Sequence, residues 1–261
     1  MTATASLASR FSTGAAIVAG GSGGIGAAVC RQLAVGGADV AFTYHRNKDK
    51  AEAAAHAVRA AGRKVLMTAV DLDDETAVAS FVDDVAQRFG GVHTTVYAAG
   101  PYIDMRFVSR IEPALFRKTV GTDVFGCYNL VHACLPHLRT ARGAIVATTT
   151  PAIRRATGRD VLSAAPKAAI ESLVKHIALE EGRFGIRANA VGVGILHDGM
   201  YHALKASGDF DERYMEAART NLPLGRMGSA EEIADAISFL VSDKAAYVTG
   251  QMLNVDGGYA I

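Results

Sequence analysis

Residues 14–26 read GAAIVAGGSGGIG, an apolar run over 14–20 that breaks into glycines and then opens a helical pattern over 24–35. A strand that turns on glycine into a helix brings unpaired backbone N–H groups to one point. Gly20, Gly24 and Gly26 let the chain turn tightly and approach a pyrophosphate, which the helix start then faces. Ser22 and Ile25 sit in the same turn and join Gly20, Gly24 and Gly26 as candidate phosphate-side residues.

Outward from this unit the pattern repeats. DVAFTY (39–44), KVLMTAV (64–70), HTTVYAA (93–99), GAIVATT (143–149), IRANAV (186–191) and QMLNV (251–255) read as strands. Helical patterns fill 49–61, 73–89, 112–139, 163–184 and 230–241. Continuous apolar strands alternating with helices predict a parallel sheet covered on both faces. With right-handed crossovers this becomes a Rossmann-type, doubly wound α/β sheet of about seven strands. No linker or repeat interrupts 14–261, so a single domain is expected there. Residues 1–13, rich in Ser, Thr and Ala, read as a short flexible leader. The polar, mixed segment 197–221 reads as a mobile lid over the carboxyl ends of the strands.

The totals exclude several classes. The 261 residues carry a formal net charge of +1 with no basic stripe, which argues against a nucleic-acid partner. No apolar run is long enough to span a bilayer. Cys30, Cys127 and Cys134 have neither disulfide nor metal-ligand spacing, and read as buried free thiols in a reducing, cytoplasmic setting. No metal is expected.

Cofactor choice rests on the end of the second strand. An NAD site places a carboxylate there for the ribose hydroxyls. Here the sequence is Tyr44-His45-Arg46-Asn47-Lys48, with no carboxylate. Arg46 or Lys48 can pair with a ribose phosphate, so NADP(H) is expected in preference to NAD(H). The alternative is a solvated basic turn.

Over residues 13–261 these features resemble the short-chain dehydrogenase/reductase family, most nearly its 3-oxoacyl-carrier-protein reductases. The family motif Thr-Gly-x-x-x-Gly-Ile-Gly is matched from Ala19 to Gly26 except at its first residue. Asp71-Leu72 matches the family's adenine-side Asp and aliphatic residue. Tyr97-Ala98-Ala99-Gly100 stands where the family has Asn-Asn-Ala-Gly, implying that Ala98 and Gly100 border the cofactor. Residues 222–258 follow the C-terminal pattern, and Ile195 falls in the segment after the sixth strand that meets the nicotinamide end. The family's catalytic Asn, Ser, Tyr and Lys correspond to Asp123, Thr150, Ser163 and Lys167. The Thr that binds the carboxamide end corresponds to Asp198. The resemblance implies an enzyme with a homotetrameric assembly.

The missing tyrosine changes the chemistry. The resemblance makes Lys167 a ribose-binding residue, and in the family such a lysine also lowers the pKa of the tyrosine. A tyrosine starts near pKa 10 and a nearby cation brings it into working range, whereas a serine is far too weak an acid for the same shift. Ser163 is therefore read as a hydrogen-bonding group, on the same helix face as Lys167. Reduction of an activated double bond needs an oxyanion site more than a proton donor, and Thr150, Ser163 or Lys167 can serve it. Dienoyl-thioester reductases of the family also lack the tyrosine, and some carry Asp where Asp123 stands. The mitochondrial type has a tyrosine fifteen positions before the lysine, where this chain has Ala152. Asp123 is read either as a proton relay through water beside Lys167 or as a plain ion-pair partner. Tyr97, Tyr102, His197 and Tyr201 are further donor candidates, each with a packing role as the alternative. Arg154, Arg155 and Arg159 border the site and can hold the phosphates of coenzyme A or a carrier-protein surface, or simply be solvated.

The expected function is NADP(H)-dependent reduction of an acyl thioester or polyketide-like ketone or enone, the double bond slightly favoured. The alternatives are a non-redox cyclase, isomerase or dehydratase on this fold, and a silent NADP-binding protein.

Overall fold

The computed structural model describes residues 13–261, so the leader expected over 1–13 lies outside the described residues except for Thr13. Seven strands form one parallel sheet in the order β3-β2-β1-β4-β5-β6-β7. They are β1 Ala15–Ala19, β2 Asp39–Tyr44, β3 Val65–Ala69, β4 Val92–Tyr97, β5 Ala144–Thr149, β6 Arg187–Val193 and β7 Met252–Val255. The helices are α1 Gly24–Val35, α2 Lys48–Ala60, α3 Glu75–Phe89, α4 Pro113–Ala141, α5 Val161–Glu181, α6 Met200–Ala206, α7 Glu212–Thr220 and α8 Ala230–Val241.

Successive strand residues point to opposite faces, and both faces are apolar, so each carries a core. Ala16 and Val18 of β1 pack with Val29, Leu33, Val58, Ile233 and Ile237 from α1, α2 and α8. Ala15, Ile17 and Ala19 pack with Val82, Leu130, Ile170 and Val174 from α3, α4 and α5. The three cysteines are buried and unbridged.

The chain winds outward from β1 to β3 and then returns past β1 to β4. Beyond the carboxyl ends of β1 and β4 the connections diverge, which opens a crevice there. The segment 197–221, read as a polar lid, carries two short helices. They are α6 and α7, held from beneath by buried Leu204 and Met215. α5 starts at Val161, two residues ahead of the expected position, and its C-terminal end tightens into a 3-10 turn at Gly182–Phe184.

Candidate active site

One wall of the crevice is backbone. Gly20 has φ +77°, and a Cβ on it would lie 2.9 Å from the Ala98 carbonyl oxygen. A Cβ on Gly26 would run into the Gly20 carbonyl oxygen, because α1 starts directly beneath the turn. The Gly20 N–H donates to Thr43 Oγ1 (3.3 Å) and the Gly21 N–H to the Thr43 carbonyl (2.9 Å), which pins the turn to β2. No side chain caps α1, and its first turn holds no acidic residue. This is a cradle that any side chain would fill, ending in free helix N–H groups, and it fits a dinucleotide pyrophosphate.

The neighbouring residues continue that wall. Tyr44 is half-buried at the end of β2, and Arg46 is exposed with no acidic partner among the described residues. Asn47 is committed to capping α2 through the Lys50 N–H (3.0 Å). Asp71 accepts the Asp73 N–H (3.1 Å), and the Leu72 carbonyl accepts Asn129 Nδ2 (3.0 Å), which ties this turn to α4. Ala98 lies against Gly20, and Gly100 lies beside Lys167 and Asp123.

The other wall is side chains. Lys167 Nζ is 3.0 Å from Asp123 Oδ1 and donates to the Ala99 carbonyl at 3.4 Å. The two side chains are 13% and 2% exposed, so the pair is nearly dry. Tyr97 closes the group from below. Its hydroxyl donates to the Asp123 backbone oxygen (2.9 Å) and to Asp123 Oδ1 (3.0 Å). Its ring lies under Lys167 Nζ at 5.2 Å, within cation–π range. Burial, and next the Asp123 charge, push the Tyr97 phenol well above its ordinary pKa, so it stays a neutral donor. A Cβ on Gly126 would lie 3.5 Å from that hydroxyl and 3.0 Å from the Leu72 Cβ, so glycine there lets α4 pack closely on the group. Cys127 lies behind the group, and burial pushes its thiol up to about 12, which leaves it chemically inert.

Ser163 and Thr150 complete the cleft. Ser163 is half-buried four residues before Lys167 on α5, and its hydroxyl has no partner among the described residues. Thr150 follows β5, and its Oγ1 accepts the Ala152 N–H (3.2 Å), which leaves its own proton free to donate. Of the four expected catalytic residues, Asp123 and Lys167 are in contact, while Ser163 lies one helical turn before Lys167 and Thr150 follows β5. Of the two readings offered for Asp123, the geometry shows the ion pair, in a buried place beside the lysine.

Other candidates are engaged elsewhere. Tyr97 is buried, and its hydroxyl is spent on Asp123. Arg154 is bonded to buried Glu171. Arg155 holds the Tyr259 carbonyl (2.9 Å) and Asn221 Oδ1 (3.0 Å). These bonds tie the loop to α5 and to the C-terminus, and Arg159 has a partner as well, so all three arginines expected to grip an anion are engaged. Ile195 is fixed by its carbonyl, which accepts the Gly228 N–H (3.0 Å). Asp198 turns to the start of α8, where Oδ2 accepts the Ala230 N–H (2.7 Å).

One residue was missed. Asp160, the N-cap position of α5, has a half-buried carboxyl that makes no capping bond. Its spacing of three from Ser163 and seven from Lys167 was readable as one helical stripe.

Known proteins are similar to this chain over nearly its whole length. The profile of the family described as Enoyl-(Acyl carrier protein) reductase matches residues 19–260. The 3-oxoacyl-[acyl-carrier-protein] reductase FabG of Staphylococcus epidermidis is 33% identical over 244 residues, covering 93% of this chain and 97% of that protein. A short-chain dehydrogenase from Burkholderia cenocepacia, solved with NADP, superposes with a TM-score of 0.87 at 30% identity, covering 97% of this chain and all of that one. Carveol dehydrogenase from Mycobacterium avium, solved with NAD, gives 0.88 at 25% identity over 95% of this chain and 98% of its own. With a glycine cradle at β1–α1, a lysine held across the crevice and a match along nearly its whole length, the chain belongs to the short-chain dehydrogenase/reductase family.

Proposed function

We propose that this oxidoreductase uses NADP(H) to reduce an activated carbonyl compound, an acyl thioester or polyketide-like ketone or enone. The observation that carries this reading is Lys167, held at 3.0 Å by Asp123 and at 3.4 Å by the Ala99 carbonyl, across the crevice from the glycine cradle. When bound, the nicotinamide dinucleotide supplies the hydride. The chain's own residues do the rest. The α1 start and its glycines hold the pyrophosphate, Lys167 holds the ribose hydroxyls, and Arg46 or Lys48 meets the ribose phosphate. The lack of a carboxylate at the end of β2 supports NADP(H) over NAD(H).

Ser163 and Thr150 donate to the oxygen on which charge develops. An oxyanion site of two hydroxyls, with no tyrosine, suits an enone slightly better than a ketone. The exposed Phe125 and Tyr128 on α4 and Leu179 on α5 support a homotetramer. Among the described residues no helix is long and apolar enough to cross a membrane.

The test is NADPH consumption with a β-ketoacyl and a dienoyl thioester side by side. Consumption of the dienoyl substrate alone would support double-bond reduction. Consumption of the ketoacyl substrate would replace it with ketone reduction. NADPH binding without consumption of either would favour a non-redox enzyme or a silent binding protein on this fold.

A further inference from the structure

A reduced substrate oxygen ends its reaction needing a proton, and most groups near it cannot give one. The Tyr97 hydroxyl is spent on Asp123. Tyr201 packs edge-on to His202 and against Phe210. His197 is largely exposed and lies 3.8 Å from Asp198. Ser163 and Thr150 position an oxygen but are too weakly acidic to release a proton near neutral pH.

We propose that Asp160 is the proton donor of this site, standing in for the tyrosine that Ser163 replaces. Its carbonyl takes the N–H groups of Ser163 (3.0 Å) and Ala164 (2.9 Å), so it forms the first turn of the helix that carries Ser163 and Lys167. Asp160 is the N-cap of that helix, three residues before Ser163 and seven before Lys167, spacings that bring the three to one side of its first turns. Successive members stand about 4.5 and 6 Å apart along the axis, close enough for one substrate oxygen to serve two of them. The loop after β4 closes over the same place, through the Arg106 N–H on the Arg159 carbonyl (3.0 Å).

Asp160 makes no hydrogen bond or ion pair through its side chain with any described residue. Of the cations of its loop, Arg154 and Arg155 are bonded to Glu171, Asn221 and the Tyr259 carbonyl, and the adjacent Arg159 has a partner other than Asp160. Burial alone pushes its carboxyl up to about 6, so a useful fraction is protonated near neutral pH.

The step rests on the reductase reading above, with the reduced nicotinamide dinucleotide as reductant. Hydride adds to the substrate carbon, the π electrons shift to oxygen, and that oxygen takes the carboxyl proton of Asp160. A ketone gives the alcohol. An enone gives the enol, which tautomerises in water to the saturated carbonyl. The oxidised dinucleotide departs, and the Asp160 carboxylate regains a proton from water.

The test compares wild type, Asp160→Asn and Asp160→Glu in three measurements. These are steady-state kinetics from pH 5.5 to 8.5 with both thioesters, NADPH affinity by fluorescence, and melting temperature against pH. Asp160→Asn should lower kcat about 100-fold with KM and NADPH affinity nearly unchanged, and Asp160→Glu should recover part of the rate. The wild-type kcat should fall as pH rises past about 6, and the Asn variant should lack that limb. A carboxyl with a raised folded-state pKa costs stability as pH rises from the unfolded value through the folded one. The Asn variant should therefore melt about 2–4 °C above wild type at pH 8 and level with it at pH 4.

Wild-type kcat in Asp160→Asn overturns the donor role. Equal melting at pH 8 overturns the buried, unpartnered carboxyl beneath it. Wild type that binds NADPH but reduces neither thioester overturns the reductase reading instead.

Discussion

At the β1–α1 end of the crevice the backbone makes the site, and at the α4–α5 end side chains make it. Gly20 and Gly26 act by having no Cβ, and the N–H groups they expose belong to the main chain. Asp123, Lys167 and Tyr97 act through a dry cluster in which each group satisfies the next. A backbone site has one solution, so it stays close to the family pattern. A side-chain cluster can be rewritten in concert while the fold stands. In this chain Tyr97, Asp123 and Ser163 all depart from that pattern around a retained Lys167.

The largest expected effect tests the backbone wall. Gly26→Ala should abolish NADPH binding and cost roughly 3 kcal/mol or more in chemical denaturation, because the new Cβ meets the Gly20 carbonyl head-on. Unchanged binding would show that the cradle yields like an ordinary loop, and the contrast with the side-chain wall would be gone.

The next effect tests the cluster. Lys167→Met strands the Asp123 charge in a buried place, and should cost about 3 kcal/mol. Asp123→Asn added to it should recover much of that loss, since the stranded charge is the cause. A double variant no more stable than Lys167→Met would mean that packing, not charge, holds this wall together.

Tyr97→Phe sharpens the same point on a smaller scale. It takes one donor from Asp123 and should cost about 1–2 kcal/mol, with NADPH affinity unchanged in a fluorescence titration. The smallest effect on folding belongs to Arg46→Ala at the exposed end of β2. Its stability should stay within about 0.5 kcal/mol. NADPH affinity should fall about tenfold, near 1.4 kcal/mol, with NADH affinity unmoved. An equal loss for both nucleotides would remove Arg46 from phosphate recognition.

The same contrast governs what could be read in the sequence. The strands, their order along the chain and the glycine turn were legible because apolar period and the absence of side chains are local signals. The segment 200–220 was not, since α6 and α7 are short and owe their place to a few buried contacts such as Leu204 and Met215. Lys167 and Asp123 were legible by position, but not that Tyr97 locks them, because residue type does not say which way a phenol points. Asp198 was placed by motif near the cofactor, yet its carboxylate serves the start of α8. That choice depends on how close the Ala230 N–H comes in space. Asp160 carried a spacing signal and no motif, and only its lack of partners drew it out.

The staple between β6 and α8 has a consequence of another kind. Ile195, His197 and Asp198 are bonded to Gly228 and Ala230, so the stretch from 199 to 227 departs and rejoins at one spot. Its ends are already together, and closing a somewhat longer or shorter stretch costs little extra entropy. That stretch is an exchangeable cassette. Changes of length between its buried anchors Leu204, Met215 and Leu222 should therefore cost the sheet little stability, which marks this stretch as the place where the molecule can be re-lengthened.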